Sequence, residues 1–202
     1  MKNLLLIHSS LFALGGQSNQ LTDQFVKQWQ EYNSDAQITV RDVAANPIPH
    51  LDSERVTAFF TAAEKRTFAQ KEIVAESDTL IDEIKQAQII VMGLPMYNFG
   101  IPSTLKSYFD HIARAGITFK YTEKGAVGLL EDKKAYIFAT RGGIYAGTPL
   151  DTQTDYIRNF LAFIGITDVE FIYAEGLNMG EEPKTSALAK ATEKLTELAK
   201  IV

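Results

Sequence analysis

The chain has 202 residues, 46% of them hydrophobic and 22% charged, enough for one well-cored domain spanning residues 1–202. Its formal net charge of −5 leaves no basic stripe for nucleic acid, and the lack of any cysteine removes disulfides, thiolate nucleophiles and sulfur-bound metals together. His8, His50 and His111 are widely spaced and lack HExxH-type pairing, so no metal is expected and any redox chemistry must come from a bound cofactor.

The N-terminal stretch MKNLLLIHSS carries one lysine and four consecutive apolar residues. A signal peptide needs an apolar run of roughly 7–15 residues and a membrane span about 20, so a cytoplasmic protein without membrane association is expected. Residues 4–7 open a series of short β-rich apolar runs that continues at 38–40, 89–94, 135–139 and 169–173. Continuous apolarity of this length suits parallel strands buried on both faces. Helical patterns lie between them. Leu21, Phe25, Val26 and Trp29 mark one apolar stripe, with Ser18 as the expected N-cap. After the proline-stiffened AANPIPHLD, residues 53–86 have room for two helices, with Ile73, Leu80, Ile81 and Ile84 on one stripe. Leu105, Phe109 and Ile112 mark the next helix, with Ser103 able to cap it, and His111 there reads as an exposed or packing residue. Residues 117–134 then alternate and turn at Glu123-Lys124-Gly125, as an inserted hairpin would. Tyr156, Phe160 and Phe163 mark a helix closed by Gly165, and residues 183–202 make the last one. Alternating strands and helices imply a doubly wound parallel α/β sheet, and five strands favour the flavodoxin-like order. Ligands of such sheets bind beyond the carboxyl ends of the strands, here in the loops after the first, third and fourth runs.

All three loops have unusual compositions. The first, HSSLFALGGQSNQL, puts Ser9, Ser10, Gly15, Gly16, Gln17 and Ser18 ahead of a helix, whose free N–H groups and positive dipole end suit a phosphate. It contains no Lys or Arg, and it matches neither a P-loop nor GxGxxG; an ordinary serine-capped helix start would read the same way. In the second, PMYNFGIP, Pro95 and Pro102 stiffen the chain and Gly100 permits a turn. Met96, Tyr97 and Phe99 can pack on the faces of a flat ligand while Asn98 and backbone amides meet its polar edge. In the third, TRGGIY, Thr140 offers a hydroxyl and Arg141 a cation, while Gly142 and Gly143 would let the backbone lie flush against a flat group. A neutral phosphate cup, an aromatic and amide clamp, and a glycine platform fit flavin mononucleotide (FMN) better than a nucleoside triphosphate, whose chemistry needs a lysine and magnesium ligands.

These stretches carry a family resemblance. SSLFALGGQSNQL, PMYNFGIPSTLKSYFDHIARAGITFKYT and TRGGIY resemble the FMN-dependent NADH-azoreductases, which also act as quinone reductases. The similarity continues through VRDVAANPIPHLD, FIGITDVEF and AEG, over nearly the whole chain. It implies a flavodoxin-like fold, a homodimer, tightly bound FMN, NADH as co-substrate, and ping-pong reduction of flat quinones and azo compounds. Carried over residue by residue, FMN contacts fall on Ser10, on Gly16, Gln17 and Ser18, on Met96, Tyr97, Asn98 and Phe99, and on Thr140, Arg141, Gly142 and Gly143. Gly16 stands where the family often has Ser, so contact there must be through backbone; Thr140 replaces a frequent Ser and keeps the hydroxyl. Main-chain N–H groups near Asn98 and Gly142–Gly143 are candidates for stabilising charge on the reduced ring. Phe119, Tyr121, Phe163 and either Phe59 or Phe60 are candidate walls for a substrate pocket, in part from a second subunit, although core packing would use the same residues. Tyr145 and Asn98 are candidates for a hydrogen bond or proton to substrate. The rival reading is a flavodoxin-type electron carrier without NADH turnover, which the hairpin and aromatic pocket oppose.

Overall fold

The apolar runs pair into one parallel sheet in the computed structural model, which describes residues 2–201. Strands β1 (Leu4–His8), β2 (Ile38–Asp42) and β3 (Ile89–Pro95) are followed by a two-stranded hairpin, β4 (Phe119–Thr122) and β5 (Gly125–Gly128). Strands β6 (Lys134–Thr140) and β7 (Asp168–Ala174) complete the sheet in the order β2-β1-β3-β6-β7. The central strands β1, β3 and β6 are buried almost throughout, because each has a strand on either side and helices on both faces. Edge strand β2 departs from that expectation and leaves Val40 in solvent.

Successive strand residues point to opposite faces and so feed two separate cores. Leu4 and Leu6 face helices α1 (Gln17–Tyr32) and α6 (Glu181–Ile201), where Phe25, Trp29 and Phe138 also pack. Leu5 and Ile7 face α3 (Phe68–Gln86), α4 (Ser103–Ile112) and α5 (Thr154–Ile164), with Phe109 and Ile157. Each fully buried side chain of this size stabilises the fold by roughly 1.5–3 kcal/mol. A short helix, α2 (Ser53–Phe60), is capped by Asp52, and Thr67 with Gln70 forms a capping box on α3. Val202, predicted to end the last helix, lies outside the described residues. No described helix is long and apolar enough to cross a membrane.

Two predicted caps are corrected. Pro102 is the N-cap of α4, so Ser103 is already helical and no side chain caps that end. Gly16, not Ser18, is the N-cap of α1. Gly165 does close α5 in the left-handed conformation, at φ 108°. The hairpin docks there: a Cβ on Gly128 would lie 2.0 Å from the Gly165 nitrogen, and Ile164 O accepts from Leu130 N at 2.9 Å. Helix α5 returns from the carboxyl end of β6 to the start of β7, so the hairpin sits at the amino edge of the sheet, opposite the three loops.

Candidate functional site

The strand order sets β1, β3 and β6 side by side, and the loops after them close around a cleft of about 260 Å³. In the first loop Ser10 is buried, its Oγ accepting from Phe12 N and lying 3.3 Å from the Tyr97 hydroxyl. The Tyr97 oxygen accepts from Leu11 N at 3.2 Å, which ties the first loop to the second. A Cβ on Gly16 would sit 2.1 Å from Ser10 Oγ and 2.6 Å from Ser10 Cβ. Ser10 therefore requires glycine at 16. With glycine as N-cap, no side chain answers the first turn of α1, whose leading N–H groups have no acceptor within the helix. Gly16 and Gln17 line the cleft. Ser18 is the second helical residue; it is fully buried against Gly93 and does not line the cleft, and its hydroxyl has no partner among the described residues.

The second loop is a tight turn. Tyr97 and Gly100 exchange backbone bonds at 3.0 and 2.9 Å, with Asn98 at φ 51° and Phe99 at φ 61° between them. The left-handed residues are thus Asn98 and Phe99 rather than Gly100. A non-glycine residue held there costs on the order of 1–3 kcal/mol unless its surroundings fix it. They do. Gln153, fully buried, donates through Nε2 to both Pro95 O and Gly100 O at 3.0 Å, and Thr152 Oγ1 donates to Phe99 O. Met96 and Tyr97 line the 260 Å³ cleft. Phe99, half-exposed and edge-on to Tyr145 at 5.6 Å, instead walls a neighbouring apolar cleft of about 460 Å³ with Ile101 and Tyr156.

The third loop corrects the reading of its cation. The Arg141 guanidinium is wholly buried, 2.7 Å from Asp151 Oδ1 and 3.0 Å from Glu175 Oε1, so its charge does not reach the cleft. Burial alone would raise the Asp151 pKa, yet hydrogen bonds from Arg141 and Thr154 hold it below the ordinary carboxylate range. The Glu175 carboxylate also accepts from Tyr145 N and Ala146 N. Met96 N donates to Thr140 O, joining this loop to the second. The two glycines face protein neighbours rather than open space, in both cases the tip of a side chain. A Cβ on Gly142 would lie 2.7 Å from Asn178 Nδ2, and one on Gly143 2.6 Å from the Tyr145 oxygen. Gly142 still lines the cleft, joined by Leu177, Asn178 and Lys184 from the start of α6.

The structure does not bring the predicted aromatic walls to this cleft. Phe60 is 79% exposed on α2, beside a separate groove that it shares with Phe59 and Val56. Phe119 is buried, its ring 4.2 Å from Phe163, so this pair fastens the hairpin to α5 at the amino edge, while Tyr121, 5.4 Å from Phe119 on the same hairpin, is exposed. His111 is buried outside the cleft: Nδ1–H donates to Ser107 O, Nε2 accepts from Arg55, and burial lowers its pKa. Sequence reasoning missed Gln153, Asp151, Glu175, Asn178 and Lys184, which have no motif; AEG, within the resemblance, contains Glu175.

A family model described as a flavodoxin-like fold matches residues 2–199. The FMN-dependent NADH:quinone oxidoreductase of Cellvibrio japonicus is 57% identical over 190 residues, covering 94% of this chain and 96% of that protein. The protein of the same name from Alcanivorax borkumensis is 58% identical over 193 residues, covering 96% and 98%. Among solved structures, an azoreductase from Bacillus anthracis superposes with a TM-score of 0.91 at 26% identity over 100% of both chains. An FMN-dependent NADH-azoreductase from the same species, in complex with FMN, gives 0.90 at 26% identity over 98% of each. The chain belongs to the flavodoxin-like family of FMN-dependent NADH:quinone oxidoreductases.

Proposed function

We propose that the cleft between the three loops is the FMN seat of this NADH:quinone oxidoreductase, and that azo compounds are alternative acceptors. The observation that carries the assignment is the uncapped start of α1, left open by the Ser10–Gly16 fit and shared with Tyr97 and Gly142. The donor set suits the group. Ser10, Gly16 and Gln17, with the main-chain N–H of Ser18 at the helix start, would hold the phosphate, and no carboxylate among the described residues lines the cleft to repel it. Met96, Tyr97, Thr140 and Gly142, which line the cleft, would hold the ring, with Arg141 contributing backbone alone and Asn98 and Gly143 reaching it through main-chain groups.

Bound FMN supplies the hydride chemistry for which this chain has no side chain of its own. The protein positions. Main-chain N–H groups at Asn98, Gly142 and Gly143 would stabilise negative charge at the polar edge of the ring, as an oxyanion hole does. Gln153 and the Arg141–Asp151–Glu175 group hold these backbones in place before any ligand arrives. Phe99, half-exposed beside Tyr145, is the flat wall that one chain offers a quinone, and Tyr145 is the proposed hydrogen-bond donor to it. The working unit is a homodimer, in which the exposed Tyr121 and Phe60 are candidates to reach a neighbour's site.

Steady-state NADH oxidation tests this reading, with FMN added or withheld and a quinone or an azo dye as acceptor. FMN-dependent turnover with parallel double-reciprocal lines is expected. Bound FMN that NADH cannot reduce would leave the electron-carrier reading in its place.

A further inference from the structure

The cleft holds two cationic side chains in very different circumstances. Arg141 has its guanidinium buried and neutralised by Asp151 and Glu175. Lys184 reaches the same cleft from the first turn of α6. Helical side chains lean toward the N-terminus of their helix, so a lysine in the first turn projects past the helix end. Among the described residues its amine has one ion pair, a 3.8 Å contact with Glu181, which is itself 90% exposed, and an exposed contact of that length holds it only loosely. Since no carboxylate among the described residues lines the cleft, the free charge on its walls is positive, and the uncapped end of α1 adds to it.

We propose that Lys184 is the counter-charge of the flavin phosphate and makes the site prefer FMN to unphosphorylated riboflavin. The inference rests on the reading of the cleft as the FMN seat. The first loop supplies only neutral donors, which fix where a phosphate sits but respond weakly to its charge. An ammonium adds an attraction that depends on charge and is screened by salt. The first loop's own sequence does not disclose this cation, because it arrives from the far end of the chain.

The experiment is a flavin-fluorescence titration of the apo-protein with FMN and with riboflavin, at low and high salt, for the native chain, Lys184→Met and Lys184→Arg. Lys184→Met is expected to weaken FMN about tenfold, or about 1.4 kcal/mol, to leave riboflavin within about twofold, and to flatten the salt dependence of FMN binding. Lys184→Arg is expected to keep most of the preference. A Lys184→Met protein that weakens both flavins equally, or neither, would overturn the proposal. A native protein that binds FMN no tighter than riboflavin would overturn the phosphate cup itself and the proposal with it, whereas a null result confined to the variant leaves the cup standing.

Discussion

Ser10 and Gly16 on one wall of the cleft, and Arg141 and Gly142 on the other, meet their surroundings in opposite ways. On the α1 wall a glycine cap leaves the first N–H groups of the helix without a capping side chain among the described residues. On the β6 wall the arginine is neutralised by two carboxylates, and the backbone of residues 141–143 is paired with that of residues 176–178. The first wall offers the open start of a helix to the cleft. The second is braced by buried ion pairs and therefore rigid. The residue with the strongest charge is the brace, and the residue with no side chain opens the receptor.

This contrast predicts that substitutions on the β6 wall cost stability first and those on the α1 wall cost affinity first. The largest effect is expected from Arg141→Met, which leaves Asp151 and Glu175 buried without a counter-charge; urea unfolding should show a loss of about 3–5 kcal/mol. The difference between the two proteins should narrow on acidification. The Asp151 pKa is depressed in the fold, so its contribution is present above the ordinary aspartate value and is lost as pH falls through the folded value, whereas the variant, lacking Arg141, has no such contribution to lose. Gln153→Ala should cost about 1–3 kcal/mol by removing the side-chain donor that Pro95 O and Gly100 O share, and should also weaken FMN as the Phe99 turn relaxes.

Gly16→Ala should cost less stability, about 1 kcal/mol, yet weaken FMN roughly tenfold or more by pushing Ser10 off its position; Ser10→Gly in the same chain should restore part of the affinity. The smallest effect is a control on both walls. His111 has a depressed pKa, so below its ordinary value of about 6.5 the unfolded chain takes up protons that the fold refuses, and stability should decline as pH falls through that region. His111→Gln should flatten that slope without altering FMN affinity, since His111 lies outside the cleft.

The sheet was legible because burial on both faces demands unbroken apolarity, and the runs at residues 89–94 and 135–139 carry it. Residues 38–40 read the same way, but an edge position relaxed the demand there. The three loops were legible as a set because parallel topology gathers them at one edge. Their internal chemistry was not. Whether a serine near a helix start caps it depends on backbone that the sequence does not specify: Ser18 is buried inside α1, and the true cap at Gly16 is set by Ser10 across the loop. Which of Arg141 and Lys184 stays free depends on Asp151 and Glu175, which come near only after the chain folds. The hairpin was readable from its alternation, but its docking edge follows from the path of α5, so Phe119 and Phe163 could not be assigned to pocket or core beforehand.

The most direct test is hydrogen–deuterium exchange of the apo-protein with and without FMN. The account predicts slowed exchange at residues 15–19, 96–100 and 140–143, with no change at the amino edge of the sheet around residues 165–168. Exchange at residues 15–19 that FMN leaves unaltered, or protection confined to other parts of the surface, would contradict the claim that the open end of α1 and its two neighbouring loops hold the cofactor.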